Sequence, residues 1–223
     1  MSKYNSTIDK KTLATLIGMF LFVMFFWDYR FIYPIKVFVV LLHELSHGLA
    51  AILTGGSMET IELSSNLGGL CWTRGGIRWI ILPAGYLGSM FFGGLILIGA
   101  AKTRHDQKIS IAIGVMMIAL TLYSVRTTFG VVFGLIFGGM MIAAGTILSE
   151  EINDFLLKFI GLTSSCYAII DIKGDLISRT VSGSDAYEMA KIIPLPPWLW
   201  GVIWIVIAIV VTGIFISIAT ERD

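Results

Sequence analysis

Charge is what this sequence has least of. Only 14% of its 223 residues are Asp, Glu, Lys or Arg, against 56% hydrophobic, and the formal net charge is +1. So little charge, with a mean hydropathy of +0.85, excludes an ordinary soluble globular domain and leaves a polytopic helical membrane protein. Without a basic block or a strong net charge, no nucleic-acid partner and no basic membrane-surface patch is expected. Cysteine is also scarce. Cys71 and Cys166 are too few and too far apart for a disulfide framework or a thiolate metal site, so both read as packing residues. Nor does a small-x-small cleavage site follow the first apolar run, Leu13 to Trp27, which therefore reads as a retained span and not a signal peptide.

What is present in place of charge is a series of long apolar runs. A span needs about 20 mostly apolar residues, and by that measure spans fall near 12–33, 34–54, 78–101, 109–125, 128–148, 153–172 and 198–219. The expected fold is an all-α polytopic membrane protein, a single domain over 1–223, built as a bundle of six or seven transmembrane helices. The count turns on Ser124-Val125-Arg126-Thr127, a short separator read as a tight turn with a snorkelling arginine. Lys and Arg divide almost evenly between alternate loops, which leaves orientation open; the oligomeric state is not fixed either. Gly85, Ser89 and Gly93, and Gly130, Gly134 and Gly138, form small-residue stripes expected at helix contacts.

Between the second and third spans the composition changes. Glycine pairs at Gly55-Gly56, Gly68-Gly69 and Gly75-Gly76 bracket the alternating stretch Thr60-Ile61-Glu62-Leu63, which predicts a short hairpin or re-entrant segment. An ordinary polar loop is the competing reading. Strand-like backbone at membrane depth is tolerated only where protein or water covers it, so a hairpin here implies a cavity. Its edge could pair with an extended substrate.

The chain has three histidines, and two of them stand in His43-Glu44-Leu45-Ser46-His47, inside the apolar run Ile35 to Leu53. Ionisable groups at bilayer depth are costly and face an interior or a wet cavity with a working partner. Residues four apart share a helix face, so both imidazoles can reach one metal ion, and neutral imidazole suits Zn2+. Glu44, one residue on, can reach a water on that ion and act as general base for hydrolysis. On a soluble helix the same letters often form only a solvated polar face; this run has no such face. His105, among Lys102, Arg104, Asp106 and Lys108, reads as a loop histidine.

Two imidazoles need a further ligand. Asp171, ending the run Phe155 to Ile170, is the expected third zinc ligand, with Asp175 one turn on as an alternative or as an outer-shell partner of an imidazole. An exposed helix end is an equal reading for Asp171. Glu150 and Asp154 are a rival pair, more simply explained as acids in a first helical turn. Asp185, three before Glu188, suits an N-cap with its capping box. Gly48, Ala50 and Ala51 leave room for a neighbouring element carrying the missing ligand.

The pattern resembles the site-2 protease family of intramembrane zinc metalloproteases, most of all its smaller B-like branch. The resemblance rests on Leu41 to Ala51, Thr54-Gly55-Gly56, Gly68-Gly69, Pro83 to Ser89, Asp171 with Asp175, Ser184-Asp185-Ala186 and Trp200-Gly201. It implies His43 and His47 as zinc ligands, Glu44 as general base, an aspartate on a later span as third ligand, and membrane-embedded protein segments as substrates. The better-known members carry an Asn-x-x-Pro stretch ending in Asp-Gly, and here Asp171 is followed by Ile172. The function expected is zinc-dependent intramembrane proteolysis. The alternatives are a catalytically inactive metal-binding membrane protein with a chaperone or regulatory role, and a transporter.

Overall fold

The computed structural model describes residues 8–173 and 183–222. In chain order the elements are α1 (Lys10–Phe25), α2 (Tyr33–Leu53), β1 (Ser57–Leu63), β2 (Gly69–Arg74), α3 (Arg78–Lys102), α4 (Asp106–Ser124), α5 (Thr128–Ile147), α6 (Glu150–Lys173), α7 (Asp185–Ile192) and α8 (Pro197–Thr220). Among the described residues six helices, α2, α3, α4, α5, α6 and α8, are long and apolar enough to cross a membrane, and the protein is a multi-pass integral membrane protein. Large apolar side chains such as Met116, Leu122, Ile136, Met140 and Val210 stay exposed on the outer helices, where lipid takes the place of a protein core.

The seventh expected span, 12–33, divides. Its first part is α1, whose 16 residues at ~1.5 Å each extend about 24 Å, short of the roughly 30 Å hydrocarbon layer. Residues 26–32 then turn where Asp28 and Arg30 interrupt the apolar run. The doubtful division at Arg126 is real: α4 and α5 are separate helices, and the Arg126 guanidinium donates to the carbonyls of Val125 (3.0 Å) and Tyr123 (2.6 Å). It closes the C-terminal end of α4.

α2 is the most enclosed span, with 78% of its apolar window buried against 28% for α8. Pro34 in its first turn fits a position that needs no backbone donor. The small-residue stripes act as expected in part. On α5, Gly134 meets Thr121 and Gly138 meets Gly114 and Ile118 of α4, while Gly93 of α3 meets Ser164, Ser165 and Gly161 of α6; side chains there would force the backbones apart. Gly85 instead faces the histidines of α2. Gly48 faces Met58 of β1, so the neighbour admitted there carries no ligand.

The segment after α2 is a hairpin. β1 and β2 pair antiparallel with Ile61 opposite Cys71 and Leu63 opposite Gly69, and the turn places Leu67 at φ 67°. The hairpin runs back along α2, from Met58 beside Gly48, past Gly69 beside Glu44, to Ser65, whose carbonyl accepts from the Tyr33 hydroxyl at 2.7 Å. Its outer edge is closed by the α4–α5 turn: Arg126 N donates to Ile61 O (3.0 Å), Leu63 N to Thr127 Oγ1 (3.1 Å) and Thr127 Oγ1 to Leu63 O (2.8 Å). The other edge, that of β2, lines a cavity.

Candidate metal centre

That cavity, of about 360 Å³, is bounded by α2, β2, α3, α6 and α7, and its walls include His43, Glu44, His47, Asp171 and Asp185. The one-turn spacing on α2 sets the imidazoles together, with ring centroids 4.7 Å apart and Nε2 atoms 2.9 Å apart. Asp185 Oδ2 lies 3.1 Å from His43 Nε2 and 3.3 Å from His47 Nε2. Glu44 is buried beside them. Tyr86 of α3 stands edge-on to His43, centroids 4.6 Å apart, and is backed by Trp204 of α8.

The hydrogen bonding around this trio tests whether a metal ion fits. His47 Nδ1 is 2.7 Å from the Ile81 carbonyl, an acceptor, so Nδ1 must carry the proton. In the neutral ring Nε2 is then a bare lone pair, and it faces a carboxylate oxygen. A proton on Nε2 satisfies that carboxylate in the metal-free protein; once it leaves, three lone-pair-bearing atoms meet at one point, which a cation satisfies, and a carbonyl fixing the far nitrogen is how metal-binding histidines are oriented. Asp185 supplies the charge. Burial opposes its ionisation, but the facing imidazoles of His47 and His43 outweigh it and hold the carboxyl below the ordinary aspartate range. A second observation concerns space. A Cβ on Gly85 would overlap both Nε2 atoms and stand 2.6 Å from His43 Cε1, so α3 leaves open a cradle at the meeting point of the donors. The residues present fit a metal ion.

Gly85→Ala is therefore expected to fill that cradle. Metal content of the purified protein, read by elemental mass spectrometry, should fall from about one ion per chain to a small fraction of that, with the helical circular-dichroism spectrum unchanged. Full occupancy in this variant would mean that the ion sits elsewhere.

Among the described residues, His43, His47 and Asp185 are the group whose ligand atoms all lie within 4.8 Å of one another. Asp171, the third ligand expected from the sequence, lines the same cavity but stands outside this group, and Asp175 lies outside the described residues. Glu150 and Asp154 are occupied away from the cavity, Glu150 accepting from Gln107 N (3.1 Å) and Asp154 pairing with Lys158 (2.5 Å). His105 is exposed, directly before α4. Cys71 lines the cavity, but burial, and then the charge of Glu44, push its thiol up to about 12, so it stays protonated and packs.

The capping assignment for Asp185 is corrected. Ser184 is the N-cap of α7 and accepts from Tyr187 N. Asp185 thereby falls in the first helical turn, and its carboxylate is released towards the imidazoles. The available signal was the pair Ser184-Asp185: two good capping residues in succession cannot both fill one cap position.

Six helices long enough to span a membrane, with two histidines, an aspartate and a glutamate brought together in one cavity, define a membrane protein with a candidate metal centre. The chain belongs to the Peptidase M50B-like family, whose model matches residues 16–215. No curated protein and no solved structure matches it.

Proposed function

We propose that this protein is a zinc-dependent intramembrane endopeptidase that hydrolyses peptide bonds in membrane-embedded segments of other proteins. The observation that carries the reading is the convergence of three ligand atoms, from His43, His47 and Asp185, beside a buried glutamate in a cavity between spanning helices. Peptidase family membership supports the reaction class, and a set of two imidazoles and one carboxylate suits Zn2+.

His43, His47 and Asp185 would hold the ion, with Ile81 O keeping His47 in the tautomer that presents Nε2. When bound, zinc supplies Lewis acidity, which lowers the pKa of a water and polarises the scissile carbonyl. Glu44 takes the proton from the attacking water and passes it to the departing amide nitrogen, so one carboxylate serves as base and then acid. The substrate segment reaches these groups in extended form. β1 has spent its outer backbone groups on the α4–α5 turn, and the edge that lines the cavity belongs to β2, whose outward groups other than those facing Glu44 suit strand addition. A helical segment would have to unwind to pair there.

The test uses the purified full-length chain in lipid nanodiscs and a quenched fluorescent peptide containing one apolar span. Cleavage should stop on treatment with a zinc chelator and return when stoichiometric zinc is added back. Cleavage that persists in the metal-free protein would refute the reading, as would zinc-loaded protein that never hydrolyses the peptide.

A further inference from the structure

Glu44 is not held by α2 alone. A Cβ placed on Gly69, the first residue of β2, would overlap Glu44 Oε1 and lie 2.7 Å from its Cγ and 2.8 Å from its Cδ. The Cys71 amide, two residues along the same strand, faces the Glu44 carboxylate.

The ladder explains the direction of the Cys71 amide. In an antiparallel pair, opposed residues either exchange both backbone bonds or turn both sets outward. Ile61 and Leu63 turn theirs outward, to Arg126 and Thr127. Their partners Cys71 and Gly69 must then turn theirs away from β1, towards the cavity and Glu44. The α4–α5 turn fixes the register of β1, β1 fixes β2, and β2 fixes the carboxylate.

We infer that the β2 edge at Gly69 and Cys71 is a fitted seat for the Glu44 carboxylate, and that Gly69 is a positioning residue for the general base. This rests on the endopeptidase reading for its catalytic consequence, but the seat itself is a packing relation that can be measured without turnover. Gly69 is not a catalytic residue; it acts by leaving vacant the volume that the carboxylate fills.

The experiment is a double-mutant cycle with Gly69→Ala and Glu44→Ala, measured on the full-length protein in detergent and in nanodiscs. In the wild-type background Gly69→Ala should lower the melting temperature by about 3 °C or more, as overpacking does. In the Glu44→Ala background, where the obstructed carboxylate is gone, it should have almost no effect. With the span peptide, Gly69→Ala should reduce kcat on the order of 10²-fold, the cost of a small misplacement of a reacting group, with KM and zinc content close to wild type.

Additive changes in melting temperature would overturn the seat, and so would a loss of kcat accompanied by loss of zinc, because the substitution would then act through the ligands. Unchanged kcat in Gly69→Ala would overturn its positioning role. If the cycle is strongly coupled while the zinc-loaded wild type cleaves nothing, the seat stands and the endopeptidase reading fails.

Discussion

Glu44→Gln should leave about one metal ion bound per chain and reduce hydrolysis of the span peptide by about 10²–10⁴-fold, the range for loss of a positioned general base. The substitution keeps the shape of the side chain and removes its ability to accept a proton. Glu44 is not one of the three residues whose ligand atoms converge, so zinc content should not follow activity. The remaining carbonyl oxygen can still face the Cys71 amide, so the hairpin should keep its place. A metal-binding chaperone or a transporter would be nearly indifferent to this change. Loss of zinc together with activity would make Glu44 a ligand and revise the division of roles.

The second large effect separates two aspartates on the wall of one cavity. Asp185→Ala removes the carboxylate at 3.1 and 3.3 Å from the two imidazoles. In an isothermal titration with zinc it should weaken binding well beyond the roughly 10–100-fold expected for losing an outer-shell partner. Asp171→Ala, which changes a residue outside the converging group, should stay within that smaller range. Stability should also fall in the metal-free state, where the facing imidazoles of His47 and His43 hold the carboxyl in its charged form and Asp185→Ala removes that favourable contact. The same substitution deprives zinc-loaded protein of a ligand, so the zinc-induced rise in melting temperature should shrink as well. The reverse ranking, with Asp171→Ala the more damaging, would restore the sequence-based ligand.

The contrast between these aspartates shows where sequence reading reaches its limit. His43, Glu44 and His47 were legible because their relation is local: helix pitch alone brings residues four apart together, and an apolar run gives ionisable groups no solvated alternative. Asp185 is 142 positions from His43, and no local rule connects them. It looked like a cap because Asp-x-x-Glu satisfies a local pattern, and only the cap actually formed by Ser184 shows that the carboxylate was free for other work. Asp171 looked better because it ends a membrane span, yet helix rotation and packing decided which of the two acids met the imidazoles.

The glycines divide in the same manner. Gly134 and Gly138 were readable as a packing stripe from their spacing, and they contact α4 as such. Gly85 and Gly69 belong to equally ordinary patterns, and nothing in the spacing distinguishes a glycine that admits a helix from one that admits two imidazoles or a carboxylate. That distinction depends on what lies opposite, which is a property of tertiary contact.

Sequence by itself determined that this chain lives in a membrane, because apolar runs this long with so little charge have no other stable solvent. It determined that α2 carries a pair of imidazoles on one face, and that a chain break of glycines and alternating residues interrupts the helices after it. The tertiary structure decided the number of helices long enough to span, the aspartate that joins the histidines, and the strand edge against which Glu44 rests. The physical reason is range: solvent preference and helical periodicity act between neighbours along the chain, whereas a metal-sized gap bounded by five elements exists only after all five have packed.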